Sequence, residues 1–344
     1  MGLRWYQSII FTTFAHVNTT AQFRWTRKMI YCFRKDSGEL TELTDPKEAV
    51  WINLYPPFEH GELDRVADAL EIPLDFLTDS LDVDERSRYE KDEETLLILI
   101  SSPVLNDDDR ENEAIYLTIP IGIVLTQDKI LTITSQENPI LEKFMEDKVK
   151  NFDPNDAKMF VLQIFEQNVY RFLECLKKLN LKRNLIEQVL YNSSRNEELQ
   201  QLLRIEKSLV YFVNSLNANE LLKLKLKRTD LLKLNDLESH ADLFEDIIID
   251  NGQALGMSNV YTNILSGTME AYASIVSNNM NIFIHRLTLI TIILMVPTLV
   301  ASFYGMNLSY LPFQDSKWAF PIIIIISLIL GYGLIWFFRS RQRI

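Results

Sequence analysis

The chain has few cysteines, histidines and glycines for its 344 residues, and these shortages argue against several kinds of protein. Its two cysteines, Cys32 and Cys175, are far apart, which predicts free thiols in a reducing compartment. The four histidines are scattered, so no metal cluster or nucleophile motif can be assembled from them. The ten glycines include no phosphate-binding Gly-x-x-x-x-Gly-Lys loop. We therefore predict that the protein is not an enzyme.

Positive charge is also in short supply. The formal net charge is -12, which argues against nucleic acid as a partner. An acidic chain is instead suited to handling cations.

No signal peptide is predicted either, because the apolar run Ile9–Ala15 is too short and too polar and no cleavage site follows it.

Long uncharged runs are confined to the C-terminal part of the chain. Leu287–Phe303 has seventeen residues without a charge and Ala319–Phe338 has twenty. A helix needs about 20 apolar residues to cross a bilayer, so we predict two spans, the first extending back through Ile282. Basic residues flank both inner ends, including Arg286 and Arg339. The positive-inside rule therefore places both termini in the cytoplasm. We predict a two-span protein of the plasma (inner) membrane.

The part before the spans is predicted to contain an α/β domain followed by helices. Residues 1–28 form an extension without an assigned role, 29–150 the α/β domain, and 151–234 a pair of antiparallel helices. The predicted strands are Met29–Phe33, Val50–Leu54, Thr95–Ile100, Ile115–Leu125 and Ile130–Thr134. The predicted helices are Leu63–Leu70, Leu74–Leu81, one ending near Tyr191, and its partner ending near Leu216.

Residues 235–303 are predicted to form one long helix, which leads into the first span. No proline interrupts it before Pro297, and as a single helix it would be about 100 Å long. A helix of that length cannot bury its apolar face alone. It needs partner helices, and identical neighbouring subunits are the simplest ones.

The tetrapeptide Tyr304-Gly305-Met306-Asn307 lies between the two spans, at the start of an external loop over 304–317 that precedes the second span and basic tail at 318–344. This motif in this position resembles the signature of the CorA family of divalent-cation (magnesium) channels. The resemblance implies an α+β membrane protein with a cytoplasmic α/β domain. A long helical stalk would continue into the first of two C-terminal transmembrane helices, and the oligomeric funnel would be a homopentamer in membrane lipid.

The resemblance also implies that Gly305, Met306 and Asn307 form the selectivity filter. Mg²⁺ gives up its water reluctantly, and a ring of amide oxygens can accept hydrogen bonds from that water shell. Gly305 is expected to let the backbone turn closely at the helix end. The alternatives are that Asn307 is a helix cap, or that Asn307-Leu308-Ser309 is a chance glycosylation triplet. In the loop beyond, Asp315 is the one acidic residue, so external attraction of cations is expected to be weak.

Five residues of the first span share one helical face at heptad-like spacing. They are Leu287, Thr291, Met295, Thr298 and Ser302. One interpretation is that they line a narrow pore, with Leu287 and Met295 as apolar constrictions, and the resemblance favours it. The other is that the hydroxyls only bond the carbonyl groups four residues earlier.

Four acidic residues recur at four-residue spacing on the predicted long helix, namely Glu238, Asp242, Asp246 and Asp250. A solvated helix face explains them simply. The resemblance, which extends without gaps from Asp246 through Asn278, implies instead that Asp246 is an intracellular sensing residue. Its partner in a regulatory Mg²⁺ site would be Asp79 of a neighbouring subunit.

These observations lead to one functional prediction and two alternatives. We predict passive Mg²⁺ influx, with Co²⁺ or Ni²⁺ as further cargo, through a homo-oligomeric channel gated by intracellular Mg²⁺ bound between subunits. The alternatives are a zinc transporter of the ZntB type and a membrane-tethered sensor domain.

Overall fold

The computed structural model describes residues 30–36, 38–58, 61–106, 113–190, 196–306 and 318–341. The extension expected at residues 1–28 lies outside them. The chain divides into two compact units, Met1–Leu265 and Ser266–Ile344.

A seven-stranded sheet forms the centre of the first unit. Its strands follow the spatial order β2-β1-β3-β7-β6-β5-β4. All neighbouring strands are antiparallel except β3 and β7, which run parallel with Trp51 beside Ile130. The strands are β1 (Ile30–Asp36), β2 (Glu39–Leu43), β3 (Trp51–Leu54), β4 (Arg88–Asp92), β5 (Thr95–Leu105), β6 (Tyr116–Leu125) and β7 (Ile130–Thr134).

The central strands were predictable because they are buried on both faces. β3, β5, β6 and β7 are rich in branched apolar residues and almost wholly buried, as continuous apolar runs indicate. The prediction missed β2 and β4 and ended β5 five residues early. β2 and β4 are edge strands with charged, exposed residues, so they show little apolar periodicity.

Helices cover both faces of the sheet. On one face, α1 and α2 share an apolar cluster with the sheet. On the other face, the sheet packs against the long helices around Trp51. The indole of Trp51 stacks on Phe33, with ring centroids 4.7 Å apart. The helices are α1 (Glu62–Leu70), α2 (Leu74–Leu81), α3 (Pro139–Met145), α4 (Ala157–Leu190), α5 (Asn196–Thr229), α6 (Glu238–Tyr304) and α7 (Ala319–Arg341).

α2 packs against β6 at a position where only glycine fits. A Cβ atom on Gly122 would lie 2.5 Å from Ser80 Cβ and 2.9 Å from Ile133 Cγ2, and closer still to Ser80 Oγ. Because Ser80 follows Asp79 on α2, this close approach helps to set the position of that carboxylate.

α4 and α5 form the expected antiparallel pair. Phe172 contacts Phe212 with ring centroids 5.2 Å apart, and Asn168 and Asn219 both donate to the carbonyl oxygen of Ser101. The predicted end of α5 near Leu216 was wrong. The helix continues to Thr229 because its buried apolar face continues through Leu222 and Leu226.

The first part of α6, residues 238–265, packs along α5. Its buried positions recur at spacings of three, four and seven residues, which is one helical stripe. Asn251 donates to the carbonyl oxygen of Leu216 at 3.0 Å, and Ser258 donates to that of Leu209 at 3.4 Å. The helix spans Glu238–Tyr304, against an expected range of 235–303.

The second unit contains the remainder of α6 and α7. Both helices are long and apolar enough to cross a membrane, and only 0% and 11% of their apolar windows are buried within the chain. Apolar surface of this extent is normally covered by lipid or by other subunits. The predicted α+β class, with a long helix and two C-terminal apolar helices, is confirmed.

Candidate ion pathway and regulatory site

The last part of α6 carries the proposed pore residues, and all of them are exposed in the single chain. The exposed fractions are 54% for Leu287 and 60% for Met295, and Thr291, Thr298 and Ser302 are also exposed. Helical spacing places these residues on one face. Leu294, on another face, is 64% exposed, so burial in one chain does not distinguish a pore-facing from a lipid-facing side.

The threonine hydroxyls of this face have partners within the helix. Thr291 Oγ1 donates to the carbonyl oxygen of Leu287, and Thr298 Oγ1 to that of Leu294, each at 2.9 Å. The bonding to carbonyl groups four residues earlier is therefore present. It accounts for the hydroxyl hydrogens and leaves the oxygen lone pairs available on the exposed side.

α6 ends at the signature motif. Gly305 N–H donates to the carbonyl oxygens of Ala301 and Ser302, at 3.0 and 3.2 Å, and Met306 N–H to that of Phe303. A Cβ built on Gly305 would lie 3.5 Å from the first two oxygens, which is ordinary contact. Within one chain this turn therefore does not require glycine, contrary to expectation. Asn307 and Asp315 lie outside the described residues.

The Asp79 carboxylate is already paired with a cationic side chain of its own chain, the guanidinium of Arg88. Arg88, on edge strand β4, donates to Asp79 Oδ2 at 2.6 Å, to Glu85 Oε1 at 3.0 Å, and to Glu90. Partial burial raises the pKa of the Asp79 carboxyl, and the Arg88 guanidinium opposes that effect. An added metal ion would have to share or displace this guanidinium.

Asp246 is exposed on α6, close enough to Tyr170 of α4 for its charge to act on the tyrosine hydroxyl. Tyr170 Oη lies 3.3 Å from Glu166 Oε1. Burial raises the pKa of the Tyr170 hydroxyl, and the charges of Glu166, Asp250 and Asp246 add to the effect. Across the described ranges, no three His, Cys, Asp or Glu side chains are grouped to hold a metal. The structure thus brings neither Asp79 nor Asp246 into a site completed by one chain.

Arg88 was missed by the sequence analysis. It belongs to a strand too charged to be recognised, and nothing in the local pattern indicates that its guanidinium contacts a carboxylate nine residues earlier.

Comparisons with known proteins identify the class. A family model described as CorA-like Mg²⁺ transporter protein matches residues 46–340. The chain is 28% identical over 296 residues to a cobalt/magnesium transport protein CorA from Methanocaldococcus jannaschii, covering 84% of this chain and 90% of the relative. The complete structure of the CorA magnesium transporter from the same organism superposes with a TM-score of 0.75 at 25% identity, over 91% of this chain and 98% of that one.

A likeness of fold alone extends to the ZntB cytoplasmic domain from Vibrio parahaemolyticus. The TM-score is 0.56 at 11% identity, over 73% of this chain and 98% of that domain. The family match covers strands β3 to β7 of the sheet and both apolar helices, so the predicted class of membrane transporter, rather than enzyme, is confirmed. The chain belongs to the CorA-like Mg²⁺ transporter family.

Proposed function

We propose that the protein is a homopentameric channel that passes Mg²⁺ into the cytoplasm, with Co²⁺ and Ni²⁺ as further cargo. The observation that carries the proposal is the uncovered end of α6, which leads to the Gly305-Met306 turn within the region matched by the family model. One helix offers one lining face, so several copies are needed to surround a pathway.

The proposed pathway has a polar entrance and apolar constrictions. A ring of Asn307 amides with Gly305 and Met306 would receive the hydrated ion at the outer end. Below it, Ser302, Thr298 and Thr291 would present hydroxyl oxygens to the ion's water. Leu287 and Met295 would narrow the pathway and close it by excluding water.

The membrane potential is sufficient to drive influx. It contributes about 2.3 kcal/mol per charge per 100 mV, and therefore about twice that for a divalent ion. The basic residues that flank both spans support a cytoplasmic position for both termini in the plasma (inner) membrane, so that the soluble unit experiences the internal Mg²⁺ concentration.

The gate we propose is a regulatory Mg²⁺ between Asp246 and Asp79 of a neighbouring subunit. Carboxylate oxygens are ligands that Mg²⁺ accepts, and exposed Asp246 is free to face another subunit. The bound ion would screen carboxylates that repel one another and so favour the closed arrangement. When internal Mg²⁺ falls, the repulsion returns and the constrictions relax.

Asp246→Lys tests this gate because a fixed positive charge replaces the ion. We expect this variant to resist protease in EDTA better than the wild type does. Equal digestion of the two proteins, both with and without Mg²⁺, would remove Asp246 from the gate and leave the acidic stripe as a solvated face.

Flux into liposomes tests the transport proposal itself. Purified full-length protein should admit Mg²⁺ down an imposed negative-inside potential faster than it admits Zn²⁺. Faster Zn²⁺ than Mg²⁺ entry would favour a zinc transporter, and no flux of either ion would contradict a channel.

A further inference from the structure

Lys223 is completely buried where three helices meet. It lies on α5 with an exposed fraction of 0%. Its Nζ donates to Asn251 Oδ1 of α6 at 2.6 Å and lies 5.8 Å from the centroid of the Phe165 ring of α4. Lysine is almost never fully buried without a charged partner. Within the described residues, the contacts that this lysine receives from the other two helices are a neutral amide and an aromatic face.

The hydrogen bonds of Asn251 fix the orientation of its amide. Asn251 Nδ2 donates to the carbonyl oxygen of Leu216 at 3.0 Å, so its Oδ1 is directed at Lys223. The contact therefore joins α5 to the first part of α6 through two hydrogen bonds in the interior. Both bonds would be disrupted if α6 moved away from α5.

The charged groups around this contact favour the ammonium form only weakly. Glu220, about one turn earlier on α5, attracts the charge. Of the other acidic groups on the packed helices, Glu245 of α6 is paired with Lys227, and Glu166 of α4 accepts a hydrogen bond from the Tyr170 hydroxyl. Burial outweighs the attraction by Glu220 and lowers the pKa of Lys223 to about 7.

We propose that Lys223 makes the packing of α5 on the first part of α6 proton-sensitive, because the packed arrangement releases a proton that a water-exposed arrangement keeps. The packed form binds this proton more weakly, since the pKa of Lys223 there is about 7 against an ordinary value of 10.5. Between these values the packed form is favoured as the pH rises, by up to about tenfold per pH unit. Below pH 7 the lysine is protonated in both forms, so this dependence ends.

All of these contacts lie within the first unit. A rise of cytoplasmic pH above neutrality would hold α6 more firmly against α5.

Hydrogen–deuterium exchange measures this packing directly. The full-length protein in detergent with EDTA is compared between pH 6.5 and 9.0, after correction for intrinsic exchange, using peptides from the first part of α6. The variants are Lys223→Met, which has no proton to release, and Asn251→Asp, whose carboxylate would keep Lys223 charged. The matched control is Lys225→Met, an exposed lysine of α5 that lies over the Tyr89 ring.

We expect protection of the α6 peptides to rise by up to about tenfold per pH unit above pH 7 in the wild type and in Lys225→Met. In Lys223→Met and Asn251→Asp it should be nearly constant over this range. A pH-independent wild type would overturn the proposal, as would an unchanged slope in Lys223→Met. Should Lys223→Met fail to fold, the nearly isosteric Asn251→Asp decides, and a wild-type slope in it would overturn the proposal. Because flux is not measured, failure here and failure of the transport proposal are separate results.

Discussion

Replacing Gly122 by alanine is expected to disturb both the stability of the first unit and its proposed regulatory site. The added Cβ would lie 2.5 Å from Ser80 Cβ and 2.9 Å from Ile133 Cγ2, so α2 or β6 must move. Overpacking of a close-packed core costs typically about 1–3 kcal/mol. For a unit of this size we expect a melting temperature lower by roughly 5 °C.

A second substitution tests whether the clash with Ser80 is the cause. Ser80→Gly removes the two closest clashing atoms and leaves the contact with Ile133 Cγ2. It also costs about 1 kcal/mol of helix propensity and the hydrogen bond from Ser80 Oγ to the carbonyl oxygen of Phe76. The double variant should therefore be more stable than Gly122→Ala alone. Because Ser80 follows Asp79, Gly122→Ala should also weaken Mg²⁺-dependent protection from protease, and the double variant should restore part of it.

The assay is thermal unfolding of the full-length protein in detergent, followed by tryptophan fluorescence. Gly256→Ala is the control, because nothing lies within 4 Å of a Cβ at that exposed helical position, and it should leave the melting temperature unchanged or higher. A wild-type melting temperature for Gly122→Ala, or a double variant no better than the single one, would refute this reasoning.

Three further outcomes are expected. Asn307→Ala should abolish Mg²⁺ uptake while assembly of the oligomer stays intact, and normal uptake at equal membrane abundance would contradict its role in the filter. Met295→Asp should change conduction in liposomes more than Leu294→Asp does. Leu294→Asp should mainly reduce membrane abundance, since a lipid-facing charge costs about 2.5–3.5 kcal/mol at a helix centre. Equal effects of the two variants on conduction would place the pore on another face of α6. Arg88→Gln frees Asp79 of its guanidinium and should lower the Mg²⁺ concentration needed for protection from protease, whereas an unchanged or higher concentration would show that Arg88 does not compete with the ion.

The parts of the fold that could be predicted from sequence are those whose pattern depends on their own burial. β6 and β7 are continuous apolar runs because helices cover both faces of the sheet. α6 was recognisable because no proline interrupts it before Pro297. The edge strands β2 and β4 could not be recognised, because strand pairing stabilises them and their exposed side chains carry no apolar alternation.

In the candidate sites too, some residues could be predicted from the sequence and others could not. The motif at Gly305 could be recognised because its chain position between two spans is local information. The pairing of Arg88 with Asp79 depends on where β4 lies relative to α2, which no spacing reveals. Lys223 was hidden for another reason. It alternates with Lys225 and Lys227, which are exposed, and only the packing of α4 and α6 distinguishes it from them.

The hydrogen bonds of the threonines in the last part of α6 would have a consequence for charge discrimination in the proposed channel. Thr291 and Thr298 each give their one hydroxyl hydrogen to a backbone carbonyl group. Each oxygen then presents only lone pairs outward, so its exposed side is the negative end of a fixed dipole. In a ring of subunits these dipoles would orient the hydrogens of passing water toward the wall and its oxygens toward the axis. If the proposed pore face surrounds the axis, that orientation would favour a positive ion at the centre and disfavour chloride, without any ionised group in the membrane.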